Sequence, residues 1–196
     1  MKKITVSLAA AIVFVLPTLS FAATWQIDPD HSNIQFKVRH LMVSNVKGVF
    51  NRVNGMAEID DQDITRSRVS VTIETTSVDT GVAKRDDDLR SANFFDVTRY
   101  PTMTFVSRKI VKAGMDSFKV TGNLSIHGVT REVVLDVDGP TAAVKDPWGG
   151  MRRGATATTR INRKDFGLTY NKVLETGGVV VGDDVEISLE VEMVRK

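Results

Sequence analysis

The chain predicts an all-β domain of eight or more antiparallel strands, and three observations carry that expectation. Apolar residues recur with period two over five stretches. Clusters of Gly, Pro, Asn and Asp separate those stretches, and one segment alone has helical spacing. Successive side chains of a strand point to opposite faces, so a period of two gathers every second residue on one buried side.

The first element is not a strand. Lys2-Lys3 is a short positive region, Ile4 to Leu16 is apolar, Pro17 breaks the run, and Ser20-Phe21-Ala22 offers the small-x-small pattern of a signal peptidase site. Residues 1–22 therefore read as a cleaved secretory signal, too short to span a bilayer, with the mature domain at 23–196. The expected location is the periplasm of a two-membrane bacterium.

Past the leader, a weak strand is expected at 24–28. Ile34, Phe36 and Val38 then alternate with Gln35, Lys37 and Arg39. A weaker strand covers 46–60, where the phase slips between Phe50 and Ile59 and Gly55 is the candidate bulge. Val69, Val71 and Ile73 form the next stripe. Thr80 is placed to cap a short helix over Val82 to Arg90, with Lys84/Asp88 and Asp86/Arg90 as i,i+4 pairs. A weak strand at 102–112 follows. Phe118, Val120, Leu124 and Ile126 face one way with Gly122 among them, Val133, Leu135 and Val137 form another stripe, and a weak strand covers 154–161. Val185, Ile187, Leu189, Val191 and Met193 give the cleanest alternation, set against Glu186, Ser188, Glu190 and Glu192. Turns are expected at Gly114, Ile126 to Val129, Asp138-Gly139-Pro140, Asp146 to Gly150, Gly177-Gly178 and Gly182 to Asp184. Such half-apolar strands make a sandwich or a closed barrel, and closure removes the edges.

Composition narrows the function. Of 196 residues, 42% are hydrophobic and 26% charged, the balance of an ordinary globular protein. The net charge of +2 comes from Lys2 and Lys3, and without them 24 basic residues meet 24 acidic ones. A balanced surface has no long-range field to gather polyanions, so nucleic acid is not an expected partner. Cysteine is absent, which excludes disulfides, thiol nucleophiles and thiolate metal sites. The sequence also lacks a Gly-x-Ser-x-Gly elbow, a P-loop, a dinucleotide fingerprint and a His-Glu-x-x-His motif. No catalytic residue, cofactor or metal is assigned.

An ordered set of motifs runs through the mature chain: Ile27-Asp28 with His31-Ser32, Phe36 and His40; Gly48 and Phe50; Ser77-Val78-Asp79-Thr80 leading to Arg85-Asp86 and Leu89-Arg90; Phe94-Phe95; Tyr100-Pro101 with Thr104-Phe105; Gly122-Asn123-Leu124 with His127-Gly128-Val129-Thr130; Asp146-Pro147-Trp148-Gly149-Gly150; Asp165-Phe166; and Val181-Gly182-Asp183. In these the chain resembles the YceI-like family of bacterial polyisoprenoid-binding proteins. The resemblance implies an extended eight-stranded antiparallel barrel, lipocalin-like, with a short helical insert and a long apolar cavity for an isoprenoid chain. It also implies a periplasmic or extracellular setting. One departure is Asp88, which stands where many relatives carry histidine within Arg-Asp-x-His-Leu-Arg.

An eight-stranded interior is either filled by side chains or just wide enough for one slender ligand. The candidates to line the cavity are Ile34, Phe36, Val38, Val71, Phe105, Val120, Leu124, Leu135, Ile187 and Leu189, with Phe50, Phe94 and Phe95 near the mouth or helix. His40 continues the phase of Ile34, Phe36 and Val38. With Arg85 and Asp86 of the helical insert, it is the candidate for the polar end of the ligand, whether quinone or prenyl diphosphate. His31 and His127 fall at a strand junction and a turn, where side chains satisfy loop backbone. The Asp86-Asp87-Asp88 run lacks the alternate spacing and the turn glycine of a calcium loop, so it reads as a solvated, ion-paired face. Trp148 is expected to cover a barrel end.

The reading is a periplasmic barrel that binds, stores or transports a polyisoprenoid lipid. A transient contact with a membrane or membrane protein, and a homodimer, are compatible with it. The alternatives are a stress-linked interaction module with a packed barrel, and a hydrolase using Asp86 or Asp88.

Overall fold

The structure, a computed structural model, describes residues 22–173 and 178–196. The leader lies outside these residues apart from Ala22, as does Gly177 of the Gly177-Gly178 turn. Eight long strands follow one another as an antiparallel meander, and the last pairs with the first, so the sheet closes. β1 comprises Ala23–Ile27 and Asn33–His40, β2 comprises Ser44–Phe50 and Val53–Ile59, and β3 comprises Arg68–Glu74 and Val78–Asp79. β4 is Thr102–Lys112, β5 Ser117–Ile126, β6 Val129–Asp138, β7 Met151–Asn162 and β8 Val181–Arg195. A two-residue strand at Val144–Lys145 edges β7.

The interruptions have local causes. At Pro29–His31 the Asp28 carboxylate accepts from Asp30 N, and the proline fixes the turn between the halves of β1. Asn51 and Arg52 divide β2, and there the inward phase passes from Gly48 and Phe50 to Val53, Ala57 and Ile59. Gly55 is therefore not the expected bulge: it pairs in register with Val71. Its missing side chain serves close packing, since a Cβ there would lie 2.6 Å from Ile27 Cδ1 and 2.9 Å from the Ser70 carbonyl. The bulges fall between Ser107 and Lys109 on β4 and between Val181 and Val185 on β8.

Closure is made by β8, which faces β7 over Asp184 to Val194 and β1 through Ile187↔Phe36, Leu189↔Ile34 and Met193↔Ile27. β6 forms ladder pairs with β7 at Asp136 to Asp138, and the Thr159 hydroxyl donates to the Val134 carbonyl at their edge. Beyond Val134 the two strands part, and the 3-10 turn Arg163–Phe166 packs against β6 there with Phe166 buried.

The helix α1, Ala83–Arg90, lies between β3 and β4. It begins one residue later than expected, and Thr80 does not cap it as an acceptor. Thr80 instead donates its backbone N–H and its hydroxyl to Asp86, at 2.9 and 2.5 Å. The Lys84/Asp88 and Asp86/Arg90 pairs do not form. Asp88 accepts from Asn93, and Arg90 donates to the Thr76 and Val78 carbonyls, fastening the helix to β3. Asp86 is buried, so the acidic run is only partly a solvated face.

Candidate functional site

All eight strands send alternate side chains inward around a cavity of about 290 Å³. Ile34, Phe36, Val38, Phe50, Val71, Phe94, Phe95, Phe105, Val120, Leu124, Leu135, Ile187 and Leu189 all line it. Leu89 of α1 joins them, and Phe50 stacks between Phe36 and Phe95 at centroid distances of 5.7 and 5.5 Å. The residues 83–101 thus form an aromatic lid at one end of the barrel.

Space remains because bulky residues face small ones. β7 presents Ala155, Ala157 and Thr159, and β2 presents Ala57. Gly48 and Gly122 give seats to the rings of Phe36 and Phe105, since a Cβ at either glycine would collide with the ring. Close packing would otherwise fill a barrel of this strand number.

The inward phase of β7 begins at Arg153 and continues past its end to Arg163. Arg153 closes one end of the barrel, its guanidinium 4.8 Å from the centroid of the buried Trp25 ring and 2.6 Å from Asp61. Arg163 lies at the other end, near the lid, and is the one charged residue among the described residues lining the cavity. It is 4% exposed. Its Nε donates to the Gly182 carbonyl at 2.9 Å, Nη1 to the Leu168 carbonyl, and Nη2 to the Val181 carbonyl and the Asp183 carboxylate at 3.3 and 3.4 Å. Burial lowers its affinity for the proton, against the opposing pull of Asp183.

The residues read as the polar pole are not brought to the cavity. Val38 is the last β1 residue on its wall, and His40 lies beyond it, half-buried between Ser44 and Val181 in the sheet. Arg85 donates to the Thr80 hydroxyl and carbonyl at 2.7 and 3.0 Å while Asp86 accepts from the same residue, so both fix the entry to α1. Arg163, the charged residue that does line the cavity, was not among the residues singled out from the sequence. The available signal was phase: Arg163 follows Ala155, Ala157, Thr159 and Ile161 at intervals of two.

A second polar group stands outside the cavity. Arg152 donates to Asp28 at 2.7 Å, to Asp146 at 2.8 Å, and to Glu192. His31 Nδ1 joins Asp28 at 2.9 Å. The guanidinium holds the carboxyls of Asp28 and Asp146 below the usual aspartate range. Asp146 also accepts from the backbone of Trp148 and Gly150. The Asp-Pro-Trp-Gly-Gly turn is thereby tied to the Asp28 turn. Asp28, His31 and Glu192 stand close enough to share an ion, yet a guanidinium already occupies their midst. Trp148 covers no barrel end, because it is 85% exposed and its turn is anchored through the backbone. His127 adopts a positive φ of 51° and packs on Tyr100 at 4.5 Å, a structural role as expected.

The family model described as YceI-like domain matches residues 25–193. A UPF0312 protein of Vibrio cholerae is 38% identical over 198 residues, covering all of both chains. Among solved structures, the Campylobacter jejuni YceI protein superposes with a TM-score of 0.68 at 32% identity, over 82% of this chain and 91% of that one. A polyisoprenoid binding domain from Saccharophagus degradans, implicated in plant cell wall breakdown, superposes with a TM-score of 0.65 at 16% identity, over 89% of this chain and 99% of that one, a likeness of fold.

Proposed function

Because this chain belongs to the family of YceI-like domains, we propose that it binds the apolar chain of a polyisoprenoid lipid inside the barrel, shielding it from water during storage or transfer. The observation that carries this reading is an almost wholly apolar cavity of about 290 Å³ in a closed barrel with a balanced surface charge. A barrel packed by its own side chains, as the interaction-module alternative requires, leaves no such space. The driving term is removal of apolar surface from water, roughly 25 cal/mol per Å². The polyisoprenoid-binding neighbour of the same fold supports the ligand class.

We read the chain as a binding protein rather than an enzyme: Asp86 and Asp88, the acids considered for hydrolysis, are engaged by Thr80 and Asn93. Its place is proposed to be the periplasm, from the leader at 1–22, and an intact mass beginning near Ala23 is the expected check. The tip of the β1–β2 hairpin exposes Met42 and Val43, with Met42 next to Gly178, which suits a transient contact with the membrane from which such a lipid would come.

The test is Leu124→Trp, which fills the cavity without adding charge. A folded variant is expected to lose at least about tenfold in affinity for an isoprenoid such as geranylgeraniol. Binding equal to the parent would place the lipid elsewhere.

A further inference from the structure

Arg163 is unusual for what it is and where it lies. A guanidinium carries five N–H donors, and four hydrogen bonds account for Nε, both Nη2 protons and one Nη1 proton. The other Nη1 proton has no acceptor among the described residues. Among the described residues the one carboxylate paired with it, Asp183, stands at 3.4 Å, is partly exposed, and is shared with Lys164 at 2.8 Å. A buried charge is costly unless it is paired or hydrogen-bonded throughout. Bracing of this loop does not call for a charge, since the neutral Asn171 side chain already braces Val181 through both its amide atoms.

Resting on the isoprenoid reading above, we propose that Arg163 anchors the polar end of the lipid, and that this end is an uncharged oxygen group, a hydroxyl or carbonyl, not a diphosphate. One spare N–H suits one acceptor oxygen. A diphosphate brings several negative charges and is held by several cations, whereas among the described residues this wall offers a single cation, already facing a carboxylate. At the opposite end Arg153 is stacked on Trp25 and paired with Asp61; the buried Arg153 Nε and Trp25 Nε1 have no hydrogen-bond partner there, but neither residue lines the cavity, whereas Arg163 does. The two arginines are ten residues apart in one strand phase, about 33 Å at the usual rise per residue. The tail therefore runs from Arg163 toward Trp25.

The experiment uses delipidated protein and three probes of one branched skeleton: geranylgeraniol, geranylgeranyl diphosphate, and the corresponding hydrocarbon. Affinities are read by competition with a fluorescent apolar probe. The alcohol is expected to bind about tenfold tighter than either of the others. In Arg163→Met the alcohol should lose its advantage and bind no better than the hydrocarbon does to the same variant, and a misfolded variant is recognised because it binds neither. Should that variant not fold, the ranking of the three probes on the parent protein decides. A diphosphate that binds as well as the alcohol, or an alcohol no better than the hydrocarbon, overturns the proposal. Failure of all three to bind is a different result and overturns the isoprenoid reading on which it rests.

Discussion

The guanidinium of Arg153 lies 4.8 Å from the centroid of the Trp25 indole, and Trp25 is 1% exposed. The closed end of the barrel is therefore a cation on an aromatic face, with Trp25 in register with Ala57 on β2 and Arg195 on β8. Burial of the indole dominates this floor, because the Asp61 partner of Arg153 is largely exposed and a pair of that kind contributes little.

Trp25→Ala should accordingly cost about 3–5 kcal/mol, the range for deleting a buried aromatic. Arg153→Met, which keeps the length and loses the charge, should cost less than about 2 kcal/mol, the scale of a desolvated cation–π contact. Urea denaturation of both variants checks the order. A larger loss for Arg153→Met would show that the cation, not the indole, holds the floor.

Gly122 and Phe105 give a second test, this time of the cavity's shape. A side chain at position 122 would collide with the Phe105 ring and with the Val106 carbonyl. Gly122→Val should push the ring into the cavity, reduce isoprenoid affinity, and destabilise the fold by about 1–3 kcal/mol, as overpacking does. A variant with the parent's affinity would mean that Phe105 does not border the bound lipid.

The Arg152 cluster sets a pH dependence. Asp28 and Asp146 have folded-state pKa values below the unfolded value of about 3.9. Groups shifted in this direction stabilise the fold above that value, and the contribution is lost as pH falls through the folded-state pKa. Arg152→Gln should lower the melting temperature at pH 7, and the gap from the parent should narrow below about pH 4. A gap that is constant with pH would remove the carboxylates from the account.

The strands were legible because an inward stripe needs only local alternation. Ile34, Phe36 and Val38, or Val185 to Met193, declare their face over eight or nine residues. Closure was not legible in that pattern, since it depends on Trp25 meeting Arg195 across nearly the whole chain. That His40, Arg85 and Asp86 stand off the cavity wall was hidden for a related reason. His40 has the right phase but lies one step past the cavity wall, and where a wall ends depends on the lid and on the turn at Arg163–Phe166. Arg85 and Asp86 resembled a recognition pair in sequence, yet both turn back onto Thr80, six residues or fewer away. Arg152 was overlooked because two of its three acids are far away in sequence, Asp28 in a turn and Glu192 on β8, and only Asp146 is near.

The central claim is that the cavity holds a lipid, and the most direct measurement is organic extraction of protein purified from its native compartment without detergent, followed by mass spectrometry. The account predicts an isoprenoid present at close to one molecule per protein and absent from the Leu124→Trp variant. Extracts that contain no isoprenoid, or contain the same amount from the filled-cavity variant, would contradict it.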